Sequence, residues 1–64
     1  MKTKLSTHEV SRALEAEIEL QACYRQMVKE APTPKVRALL HDLLLMEEMN
    51  EVLLRSLSRS LART

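Results

Sequence analysis

Sixty-four residues, 45% hydrophobic and 30% charged, with no Gly, Trp or Phe and a single Tyr, make a chain of good helix formers that leaves strands without candidates. Ten basic and nine acidic residues nearly cancel, so net charge supplies neither a field for nucleic acid nor a trap for acidic substrates. A chain this short buries too little surface to offset its conformational entropy easily, so a partner, a second copy or a bound metal is expected.

In chain order, the opening "MKTKLSTHEV" lacks the long apolar core of a secretory signal. No later run reaches the roughly 18 to 20 apolar residues of a membrane span. A soluble, cytoplasmic protein without membrane or nucleic-acid partners is the expectation. The start of helix 1 is marked by Ser6 and Glu9 at capping-box spacing, with Leu5 and Val10 placed as a hydrophobic staple. The spacing predicts helix 1 over about residues 7–31. Cys23, the single cysteine, has no internal partner; it suits a reducing compartment as an inert thiol, or an intermolecular bridge.

"KEAPTP" then removes two backbone donors within three residues and forces extended geometry on the residue before each proline. The turn is placed at 32–34. Thr33 can cap a second helix whose first residue is Pro34, and no breaker follows before about residue 62. Residues 1–64 therefore form one all-α domain, an antiparallel two-helix hairpin expected to pair into a four-helix bundle. Gly-rich phosphate loops, CxxC pairs, HExxH and nucleophile elbows are absent from the sequence, and no catalytic residue stands out.

At about 100° per residue, helix 1 carries Val10, Ala13, Leu14, Leu20, Tyr24, Met27, Val28 and Ala31 on one face. Glu17 interrupts it, with Gln21 beside it. Helix 2 aligns Val36, Leu39, Leu40, Leu43, Met46, Leu54, Leu57 and Leu61, interrupted by Glu47 and Asn50. A hairpin turning about Pro32 and Thr33 sets Glu17 level with Glu48 and its neighbours, so both interruptions fall at one height. Buried carboxylates need pairing, protonation, hydrogen bonds or a cation. The layer of Glu17, Glu47 and Asn50 is thus either a device that fixes register and oligomeric state or a set of metal ligands.

Three stretches, "EIELQACY", "APTPKVRALL" and "MEEMNEVLL", resemble the ferritin-like hairpin of rubrerythrins and encapsulated ferritins. Glu17 stands seven residues before Tyr24, as that family's first metal glutamate stands before a tyrosine, and Glu47 with Asn50 falls where the family has an E-x-x-H pair. The resemblance implies a di-metal carboxylate site, with iron or another divalent metal held by Glu17, Glu47 and Asn50, and ferroxidase-like chemistry. Asn50 replaces the histidine, however, and an amide oxygen is a poor substitute for imidazole at iron. His8 and His41 are placed on solvated sides, outside the layer.

Helix 2 is also more apolar than one seam requires. Leu44 and Leu53 widen the stripe, and Leu45, Met49 and Val52 lie away from it, so these five are the candidate partner-binding residues. Arg55 and Arg59, Glu15 with Glu19, and Arg25 with Lys29 read as solvated faces. The size, hairpin plan and "NEVLLRSL" spacing also resemble the small co-chaperones of type III secretion systems, which implies a helical protein partner. The function expected is an interaction and assembly module that self-associates, with ferritin-like metal binding and co-chaperone activity as alternatives and enzymatic activity less expected than binding.

Overall fold

A computed structural model describes residues 5–63, which form an all-α hairpin of two helices. Helix α1 spans Thr7–Lys29 and helix α2 spans Pro34–Ala62. Each begins on a side chain chosen for the purpose. Ser6 holds an extended backbone and its hydroxyl accepts from the Glu9 amide at 3.3 Å. Thr33 does the same for the Val36 amide at 3.1 Å, with Pro34 behind it at the first helical position. Both arrangements satisfy a donor that the first turn of a helix otherwise leaves without a partner.

Helix α1 ends at Lys29, short of Ala31, because Pro32 disfavours helical geometry at the residue before it. The Glu30 and Ala31 amides instead bond back to Met27 and Val28 in a tightened last turn. The link leaves this turn extended, with Thr33 at φ −140° and ψ 157°. Contacts between the helices then fall further along α2 than a hinge at Pro32 and Thr33 implies: Gln21 meets Glu47 and Glu51, and Arg25 meets Glu48. The first turn of α2 accordingly stands beyond the end of α1.

The hairpin measures 51 × 17 × 14 Å, with a radius of gyration of 15.1 Å. A compact chain of this length would have a radius near 11 Å. Two helices have only one line of mutual contact, and the core is correspondingly thin: Val10, Leu40 and Gln21 are the buried residues among those described, and none of them is wholly closed off.

The line of α2 turned toward α1 runs through Leu40, Leu44, Glu47, Glu51, Leu54 and Ser58, all buried or half-buried. It is rotated from the stripe read in the sequence. Leu39 is 55% exposed and Met46 61% exposed, while Glu47 and Glu51 take the inward positions.

Candidate functional site

The two flanks of the hairpin differ in chemistry. On one, a polar clasp joins the helices around Gln21, which is 4% exposed. Its side-chain amide donates to Glu51 Oε1 at 2.8 Å and to the Glu47 backbone carbonyl at 3.4 Å. Arg25 donates to Gln21 Oε1 at 3.2 Å and to Glu48 Oε2 at 3.4 Å. Arg55, one turn after Glu51, pairs with the other Glu51 oxygen at 2.7 Å. The hydrogen bond from Gln21, followed by that from Arg55, holds the Glu51 carboxyl below its ordinary value of 4.5 against the opposing effect of burial. Every member of this clasp has a partner.

The other flank is apolar and its polar groups are poorly served. Ala13 and Glu17 of α1 and Asn50, Leu53, Leu54 and Leu57 of α2 line an open groove of about 390 Å³. Glu17 Oε1 is closed off from solvent and has no hydrogen-bond partner. Asn50 gives its side-chain amide to Glu47 Oε1, one turn back on its own helix, at a long 3.4 Å. An orphaned carboxylate oxygen is among the costlier things a structure can bury.

From this groove a stripe runs the length of α2. Val36, Leu39, Leu43, Met46, Asn50, Leu53 and Leu57 alternate spacings of three and four residues, the repeat of a packed helical seam, and all seven are exposed. Helix α1 carries a matching stripe of smaller side chains on the same flank, Ala13, Ala16, Leu20, Cys23 and Met27. A second, shallower hollow lies over it, lined by Ala16, Glu19, Leu20 and Cys23.

Of the layer expected from the sequence, Glu17 and Asn50 come together in the groove. Glu47 lies beside it, its carboxylate engaged by Asn50 and its carbonyl by Gln21. Among the described residues, one hairpin brings together no three His, Cys, Asp or Glu side chains that could hold a metal ion. A carboxylate and an amide oxygen also fall short of the carboxylate and imidazole donors that a di-iron centre uses.

The residues expected to bind a partner are divided by the fold. Leu53 lies in the groove and Leu44 is half-buried toward α1, whereas Leu45, Met49 and Val52 are exposed on the far edge of the polar flank. Tyr24 is half-buried, and His8, His41 and Cys23 are exposed. No helix among the described residues is long and apolar enough to cross a membrane.

The clasp residues Gln21 and Glu51 were not among the expected site residues. Their signal was present in the pairs Gln21 with Arg25 and Glu51 with Arg55, each four residues apart, the spacing at which helical side chains meet.

No family model, curated protein or solved structure matches this chain.

Proposed function

We propose that this protein is a self-associating helical module, in which the apolar flank of one hairpin is covered by a second copy to complete a four-helix bundle. The observation that carries this reading is surface area. The whole 64-residue chain exposes 5205 Å², whereas a compact protein of the same 7.4 kDa exposes about 4,200 Å². The excess of roughly 1,000 Å² is close to the ~800 Å² per partner of a standard interface. The exposed stripe with seam periodicity supplies a place for that burial, and Asn50 within it is the kind of polar interruption that fixes register and oligomeric state.

A second reading attaches to Leu45, Met49 and Val52, which a face-to-face pair leaves open. Three large apolar side chains on one exposed edge suit a helical protein partner laid along α2. The two readings use opposite flanks and separate cleanly by substitution. Met46→Lys replaces a side chain already 61% exposed in the single hairpin, so helical content should persist while the pair dissociates to monomer in size-exclusion chromatography. Val52→Lys, on the other flank, should leave the pair intact. If Met46→Lys associates as tightly as the unaltered chain, the apolar flank is not the interface.

A further inference from the structure

Granting that the apolar flank is covered by a second copy, we infer that the copy seats its α2 on the first hairpin's α1, with the two-fold axis running along the hairpin, so that Asn50 of each copy donates to Glu17 of the other.

Two arrangements bring identical flanks face to face. A two-fold axis across the hairpin stacks α2 on α2 and α1 on α1, setting the bulkier stripe of α2 against itself at one side and the smaller stripe of Ala13, Ala16, Leu20, Cys23 and Met27 against itself at the other. That leaves one pair of helices crowded and the other separated by a void. An axis along the hairpin stacks each α2 on the other copy's α1. Met46 and Leu53, which flank Asn50 on the exposed stripe, then stand at the height of the hollow lined by Ala16, Glu19, Leu20 and Cys23. Interiors pack at crystal-like density by setting large side chains against small ones.

The polar groups select the same arrangement. Rotation about an axis along the hairpin preserves height, so the level that holds Glu17 and Asn50 in one groove meets that level in the other. Glu17 Oε1 is closed off and has no partner, but Glu17 as a whole is half-buried and lines the groove. Among the described residues, the Asn50 amide is held by the long bond to Glu47. Closing the groove strips the Glu17 carboxylate of its remaining water, which would oppose assembly, and an amide donor from the copy offsets that cost. The occupant is therefore a surface that carries its own donor at this height, which the second copy does.

The test uses two variants of the full chain, Ala13→Cys with Cys23→Ser and Leu57→Cys with Cys23→Ser, oxidised separately and as a mixture. A covalent dimer should form in the mixture and in neither variant alone, because Ala13 of one copy lies over Leu57 of the other while like positions sit on diagonal helices. Cross-linking of either variant with itself, or no covalent dimer in any sample, overturns the arrangement. Sedimentation of the same samples under reducing conditions distinguishes this from failure of self-association, which would leave only monomers. A second measurement reads the hydrogen bond. Asn50→Asp sets carboxylates against each other and should weaken association by roughly tenfold or more, and adding Glu17→Gln should restore it by exchanging amide and carboxylate. Failure of the double variant to recover removes the Asn50 to Glu17 contact.

Discussion

Gln21 is the residue on which the two helices are tied, and its loss should be felt on both. Gln21→Ala removes the donor to Glu51 and to the Glu47 carbonyl along with the acceptor for Arg25. A cost of about 1–2 kcal/mol is expected, read from urea unfolding followed by circular dichroism at neutral pH. Its pH dependence has a definite direction. The Glu51 carboxyl is held below 4.5 in the folded chain, so it contributes stability that is fully present above 4.5 and is lost as pH falls through the lowered folded value. Gln21 is the largest cause of that depression, and Gln21→Ala should therefore lose less on acidification than the unaltered chain. Glu17 was legible in the sequence because a carboxylate interrupts an apolar stripe. Gln21 was visible only as its neighbour: an amide gives no sign of its partner, and that partner lies thirty residues away, across a link that lifts the start of α2 by a turn.

The helices themselves follow from signals that act within a few residues, which is why the hairpin could be read from the chain. Capping hydroxyls at Ser6 and Thr33, Pro34 at the first helical position and Pro32 after the last turn of α1 each do locally what their chemistry dictates. Thr33→Ala should cost about 1 kcal/mol, seen as a lowered thermal midpoint, since the hydroxyl that accepts from the Val36 amide is lost. Rotation of α2 about its own axis was not legible. A helix apolar over most of its circumference offers hydropathy no single direction to centre on. The polar clasp accompanies the rotation: Gln21 bonds Glu51 on the inward line and Arg25 pairs with Glu48 on the same flank, while Leu39 and Met46 are turned away from α1.

At the scale of the whole molecule, the hairpin is a long ribbon whose polar flank is tied by the clasp and whose apolar flank is open. Each member of the clasp has a partner within one chain, while the groove keeps an orphaned oxygen and an open row of leucines. Stability should therefore depend on assembly, and the thermal midpoint should rise with protein concentration, as it does when only the folded state binds its partner. Sedimentation equilibrium of the unaltered chain over a range of micromolar concentrations tests the central claim most directly. A mass that rises with concentration to twice 7.4 kDa is the result expected of a two-hairpin bundle. A single species of 7.4 kDa at every concentration would contradict it.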